Sequence, residues 1–289
     1  MKLFKQRIKP YLLLLPSVTA AIVFVGWGTA AALLESLQDW ETGEWTVVYY
    51  HELFTNPVFW DSLFLSFSTA LLSTAVSVVL GLVVTRYLYH YFRKNRWKLL
   101  VWLPMLVPHL VAAYLVLLFF SDSGLLSSLL YRFGWIQEMS EYPFSVQNRQ
   151  GTGIILTYIW KEVPFVILML LPVYYQLNSN YEAVIRTLGG GSWEVFKTAE
   201  FPALAPVLTE TGIILFSFTI AAFEVPYILG VTYPKMLPLL SYQWYFENDW
   251  SSRPAAMAVM MVTTFLTLLL AFLAFGLSQR RRNQMSRGK

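Results

Sequence analysis

Four ionisable side chains stand where this chain is most apolar. Lys161 and Glu162 are adjacent in IWKEVPF, inside the hydrophobic stretch 152–176, and Glu224 lies in FEVPYILG, inside 207–230. His109 sits between Pro108 and Leu110 in a third stretch, 99–120. A charge at the centre of a bilayer is unfavourable by about 2.5–3.5 kcal/mol on insertion scales, so such groups face protein, water or a passing solute. Trp160, His109, Lys161, Glu162 and Glu224 are therefore the candidates for a polar pathway. Lys161 and Glu224 differ in depth by only about 5 Å at 1.5 Å per helical residue, which predicts an ion pair between them. Direct solute contact is the competing role. Enzyme chemistry has little to work with. There are three histidines (His51, His90, His109), no H-E-x-x-H and no cysteine, so no catalytic residue, metal or cofactor is expected.

The elements that must hold these groups follow from composition. The 289 residues are 56% hydrophobic and 13% charged, against roughly 25% charge in ordinary soluble domains. Mean hydropathy is +0.52. A bilayer core needs about 20 mainly apolar residues per helix, and six segments qualify: 11–37, 60–88, 99–120, 152–176, 207–230 and 254–278. The prediction is an all-α, polytopic membrane protein, 1–289 forming a single transmembrane domain. The basic start MKLFKQRIKP resembles a signal peptide, but its apolar run continues to Leu37, much longer than the roughly 7–15 residues of a signal core, and is read as an uncleaved first span.

Positive charge sets the orientation. With six spans, Lys2, Lys5, Arg7 and Lys9, then Arg86, Arg93, Lys94, Arg96 and Lys98, then Arg186 and Lys197, and finally Arg280–Arg282, Arg287 and Lys289 share one side. Only Arg132, Arg149, Lys235 and Arg253 fall on the other. The positive-inside rule then places both termini in the cytoplasm. Aromatic residues such as Trp97, Trp102, Trp135 and Trp250 recur near the span ends, as interfacial belts do.

One long polar segment remains, 177–206, containing EAVIRTLGGGSWEVFKTAEFPALAP from Glu182 to Pro206. Residues 181–188 can extend the preceding helix. Gly189, Gly190 and Gly191 permit a turn with positive φ. Ser192 can cap a second helix running to about Phe201, with Trp193, Phe196 and Glu200 on one stripe, and Pro202 is expected to stop it. A phosphate-cradling loop is excluded because no lysine follows the glycines. A flexible linker would lack Trp193, Val195 and Phe196. Glu194 and Glu200 oppose a membrane-surface helix, which favours a basic polar face. A docking element for a protein partner fits best.

This stretch resembles the cytoplasmic EAA loop of ABC importer permeases, the inner-membrane components of binding-protein-dependent transport. From Gly189 the register follows G-x6-F-x5-P-x3-P, through Phe196, Pro202 and Pro206. At the start Glu182 and Ala183 are followed by Val184 and Ile185, with Glu182 one residue earlier than the usual glutamate. WKEVPF and FEVPYILG are similar to the polyamine, sulfate, iron and thiamine branch. The resemblance implies the type I importer permease fold in a bacterial inner membrane. It also implies a coupling helix built on Glu182, Ala183, Gly189, Gly190, Ser192, Trp193, Phe196, Pro202 and Pro206. The implied partners are two ATP-binding subunits, a second permease subunit, an extracytoplasmic binding protein and the bilayer, with no nucleic acid. A small solute is the implied cargo, a polyamine favoured within the branch. The alternative is an ion-coupled secondary transporter using Lys161, Glu162 and Glu224.

Overall fold

The computed structural model describes residues 13–91, 101–177 and 179–287. The predicted span starts at Tyr11 and Leu99, and the basic residues Lys2, Lys5, Arg7, Lys9, Arg93, Lys94, Arg96, Lys98 and Lys289, lie outside the described residues, as does Trp97. Among the described residues six helical stretches are long and apolar enough to cross a membrane. In hydrocarbon a backbone must satisfy its own hydrogen bonds, which the helix does within one segment.

Two compact units can be distinguished, one drawn from Met1–Phe59 and Leu240–Phe265, the other from Trp60–Leu239 and Leu266–Lys289. In the first unit, α1 (Leu13–Ser36) buries nothing in its most apolar window. The segment after it, acidic and aromatic in composition, carries regular structure. Gln38 and Trp45 form an antiparallel bridge, and α2 (Val48–Thr55) follows. Ser36 Oγ and Tyr50 Oη, 2.7 Å apart, tie α2 back to the end of α1.

The second unit holds the candidate site. Its first helix, α3 (Pro57–Tyr91), has 35 residues, about 52 Å at 1.5 Å per residue, and so exceeds a bilayer core of about 30 Å. One face carries Ser62, Ser66, Thr69, Ser73, Ser77 and Thr85, all with no exposed surface. Small residues let membrane helices approach closely. Gly81 continues this face, and a Cβ there would lie 2.5 Å from Val166 Cβ. Val166 belongs to α7, whose full range appears with the helices that follow.

Next come α4 (Leu103–Leu106), α5 (His109–Phe120) and α6 (Leu125–Arg132). Within the third predicted span, 99–120, the chain is interrupted at Val107–Pro108, and the helical stretch of membrane length here is His109–Arg132. Val107 is extended (φ −83°, ψ 125°), as the residue before a proline prefers to be. The fourth span, α7 (Thr152–Gln176), has the predicted bounds. It continues through α8 (Ser179–Thr187) into α9 (Ser192–Ile220). The fifth predicted span, 207–230, falls partly on α9, whose helix already covers the second half of the polar loop and ends at Ile220, ten residues short of Gly230. After a break at 221–223 the short α10 (Glu224–Leu229) follows, then α11 (Leu237–Phe246) and α12 (Arg253–Arg287).

The close approach at Gly81 gives a first prediction. Gly81→Ala should destabilise the protein by about 1–3 kcal/mol, because Val166 is fully buried and has nowhere to move. Gly276→Ala, where nothing lies within 4 Å of the new methyl, should be neutral or slightly stabilising. Thermal unfolding in detergent checks both. Equal midpoints for the two variants would mean that the α3–α7 seam is loosely packed.

Candidate functional site

The glycine-rich segment is built from a helix stop, a turn and a restart. At the end of α8, Gly190 N–H donates to Ile185 O (2.9 Å) and Gly189 N–H to Arg186 O (3.0 Å). This pair of bonds ends a helix when the residue after its cap turns left-handed, and Gly189 does so at φ +85°. A Cβ on Gly190 would lie 2.9 Å from Ile185 O, so the turn needs both glycines. On the surface of α8, Arg186 and Glu182 pair at 2.8 Å, beside the exposed Ala183.

The restart differs from expectation in two respects. Ser192 does not cap α9. Gly191 is the cap residue, and its N–H donates to the Glu194 carboxylate at 2.8 Å. Glu194, one turn into the helix, reaches back to the backbone donor that a serine hydroxyl does not approach here. Nor does Pro202 stop the helix. A widened π-turn, Phe196–Glu200, precedes it, and α-helix resumes at Phe201 with Pro202 in its opening positions, where a proline is tolerated. Pro206 lies inside the same helix. The segment after the glycine turn and the membrane-length helix are therefore one continuous element, Ser192–Ile220.

Glu200, at the end of the π-turn, fixes that element to its neighbours. It is 3% exposed. Arg86 Nε of α3 donates to its Oε2 at 2.8 Å, His90 Nε2 lies 3.0 Å from Oε1, and Tyr174 Oη of α7 donates to Oε2 at 3.2 Å. Arg86 also donates through Nη2 to Ser192 O at 2.8 Å, and its guanidinium carbon lies 5.2 Å from the Phe196 ring centroid. Bonds from charged donors to a buried carboxylate are the strong class. A cavity of about 420 Å³ opens beside this cluster, lined in part by Tyr87, Arg186 and Val195.

Phe196 is half-buried, with Trp193 stacked on it at 5.5 Å and 30°. Trp193 itself is 65% exposed, as are Leu188 (82%), Val184 (55%) and Tyr181 (59%). These side chains all belong to the segment from α8 to the start of α9. Clustered exposed apolar groups mark contact surfaces. The sequence singled out Trp193 and Phe196 but not Glu200, Arg86, His90 or Tyr174. The available signal was the spacing of Arg86 and His90, four apart on one helix face near a span end, facing a carboxylate that opens another span.

The intramembrane polar groups come together differently from the predicted pattern. Lys161 does not pair with Glu224. Its Nζ donates to Pro104 O at 2.6 Å and to Val107 O, bridging α7 to the interruption between α4 and α5. The reason is in the backbone. In an unbroken helix the Pro104 carbonyl would receive the N–H of residue 108, which is a proline and has none. Val107 N–H reaches the Pro104 carbonyl at 3.3 Å instead, and the lysine adds a charged donor to it and to the Val107 carbonyl. Glu162 instead approaches His109, with Oε1 3.6 Å from Nε2, too far for a hydrogen bond. Lys161, Glu162 and His109 line a cavity of about 220 Å³ with Met105, Phe165 and Phe218. Trp160 is 38% exposed. Glu224 is exposed in the first turn of α10.

Two expected outcomes test this geometry. Glu200→Gln should raise amide hydrogen exchange across 192–200 by about tenfold or more, since the charged acceptor of three donors is lost. Amides in the middle of α7 should be unaffected, and unchanged exchange in 192–200 would mean that the cluster does not brace α9. Lys161→Met should lower the thermal midpoint more than Lys161→Arg, because arginine can still donate to carbonyls. Equal losses would mean that the lysine is not held by its hydrogen bonds.

Comparison with known proteins gives this architecture a family. The model of the binding-protein-dependent transport system inner membrane component matches residues 77–284. A probable sulfate transport system permease protein of Chlorella vulgaris is 26% identical over 76% of this chain and 82% of its own length. The diacetylchitobiose uptake system permease protein of Streptomyces coelicolor is 26% identical over 94% and 88%. A solved bacterial ABC transporter that imports the acidic polysaccharide alginate superposes with a TM-score of 0.78 over 97% of this chain and 99% of its own, at 17% identity. With the family model covering well over half of the sequence, the chain belongs to the inner-membrane permease components of binding-protein-dependent ABC importers, and it is a transport permease rather than an enzyme.

Proposed function

We propose that this permease forms half of the solute pathway of an ATP-driven importer and is coupled to two separate ATP-binding subunits through the segment 182–206. The observation that carries the coupling role is the continuity of α9. Trp193 stands exposed at one end of the same rod that crosses the membrane, and Glu200 joins that rod to α3 and α7. A partner pressing on Trp193 therefore moves three helices together. Leu188, Trp193 and Val184 offer the apolar contact, and buried aromatic anchors dominate such interfaces.

The remaining partners follow from the same reading. A second permease subunit completes the pathway, and an extracytoplasmic binding protein delivers the solute. A similar alginate transporter structure, with a TM-score of 0.80 at 16% identity, contains a periplasmic protein bound to an alginate pentasaccharide. The charge bias supports cytoplasmic termini, and the family assignment supports a bacterial inner membrane. The ion-coupled alternative loses its main element, because Lys161 is engaged by backbone carbonyls and not by Glu224. The relatives named for sulfate, diacetylchitobiose, molybdate or tungstate, and thiamine span anions, a sugar and a cation. None is named for a polyamine, and that choice is not carried forward.

Affinity purification in mild detergent, followed by mass spectrometry, tests the coupling. An ATP-binding subunit should accompany the tagged wild-type chain, and Trp193→Ala and Phe196→Ala should reduce its recovery by about tenfold or more while the chain stays in the membrane. Undiminished recovery in both variants would reject the interface, and a chain with no ATP-binding subunit would reject the assignment.

A further inference from the structure

The 220 Å³ cavity beside α7 distributes its polar groups unevenly. Lys161 lies in its wall, but two of its three N–H donors are directed to the Pro104 and Val107 carbonyls. Glu162 has no equivalent partner: among the described residues its carboxylate accepts no hydrogen bond, and His109 Nε2 stops 3.6 Å short. That His109 nitrogen is also buried without a hydrogen-bond partner. An ionised carboxylate only accepts, so the cavity presents an unfilled acceptor.

The apolar wall has the same preference. Phe165 and Phe218 line the cavity, and the Phe218 ring lies 5.1 Å from that of His109. Aromatic faces attract cations. An oxyanion entering here would meet a carboxylate and π-faces, while the lysine that could receive it is turned to the backbone. An ammonium would meet Glu162 and two rings. The volume is less than the roughly 300–1,000 Å³ of a pocket that encloses a drug-sized ligand, so the cavity fits one end of a solute rather than a whole large one.

Resting on the permease assignment, we propose that Glu162 and His109 form the polar head of a solute-contact site in this cavity, and that it takes the cationic, amine-bearing end of an organic solute. Lys161 is a positioning residue here. By holding the interruption at Val107–Pro108 it fixes His109, the residue that follows, opposite Glu162.

Saturation-transfer NMR on the intact detergent-solubilised complex tests the site, with ethanolamine, sulfate and N-acetylglucosamine as probes, sulfate being followed by its competition with ethanolamine. Ethanolamine should receive saturation, and Glu162→Gln, which preserves shape, should cut it by about tenfold through loss of a charge-assisted bond. Glu162→Asp, which keeps the charge, should retain part of the signal. Sulfate should not compete. No transfer to ethanolamine, equal transfer in Glu162→Gln, or displacement by sulfate would overturn the proposal. The ATP-binding subunit is quantified in the same sample. Its absence would count against the importer assignment, whereas the probe pattern alone decides the site.

Discussion

A single buried carboxylate ties three helices of this protein together. Glu200 is 3% exposed and receives donors from Arg86, His90 and Tyr174, so two transmembrane helices meet at one residue of a third. A charge buried this deeply is tolerable only when paired and hydrogen-bonded, and the pairing imposes geometry on everything nearby. Arg86 must reach both Glu200 and the Ser192 carbonyl, which sets the first turn of α9 against α3. The π-turn at Phe196–Glu200 is the local widening that brings the carboxylate inward. The exposed Trp193 then rides on Phe196, which lies beneath the same arginine. Any partner that binds Trp193 acts on a braced element.

A second constraint comes from the medium. In a bilayer, a helix interruption frees carbonyls that need donors from the protein or from a cavity. The break at Val107–Pro108 is met by Lys161, so a charged residue inside a span acts here as a backbone donor. This changes what the neighbouring groups are available to do. Glu162, next in sequence, is left without a hydrogen bond, and the polar character of the cavity is set by which member of the Lys161–Glu162 pair the backbone has engaged. Break, lysine and acceptor form one connected arrangement, although only the lysine and the glutamate are conspicuous in the sequence.

Much of this was legible beforehand, for identifiable reasons. The number of spans follows from apolar length, and the helix α7 covers the residues predicted for the fourth. The glycine turn was legible because positive φ selects glycine. The breaks at Val107–Pro108 and 221–223 were not, because hydropathy does not change across them. Pro202 misled because a proline reads as a stop, while a preceding π-turn allows it to start a helix. Ser192 misled because the competing Glu194 carboxylate lies only two residues further on. The predicted Lys161–Glu224 pair rested on equal depth, which says nothing about which face each helix turns. Glu200 was read as part of the Trp193–Phe196 stripe and as a charge that disfavours a membrane surface, but not as a brace, since its three partners come from residues 86, 90 and 174.

If Glu200 braces the two helices, α9 and α3 move as one body when an ATP-binding partner acts on Trp193. The chain has no cysteine, so a pair of spin labels can be placed cleanly at Val83→Cys on α3 and Thr198→Cys on the π-turn. Double electron–electron resonance on the assembled complex, with and without a non-hydrolysable ATP analogue, measures the distance between them. A single narrow distribution, unchanged by nucleotide, is the predicted result. A second distance, or a marked broadening on adding the analogue, would show that the segment hinges against the span and would contradict the account.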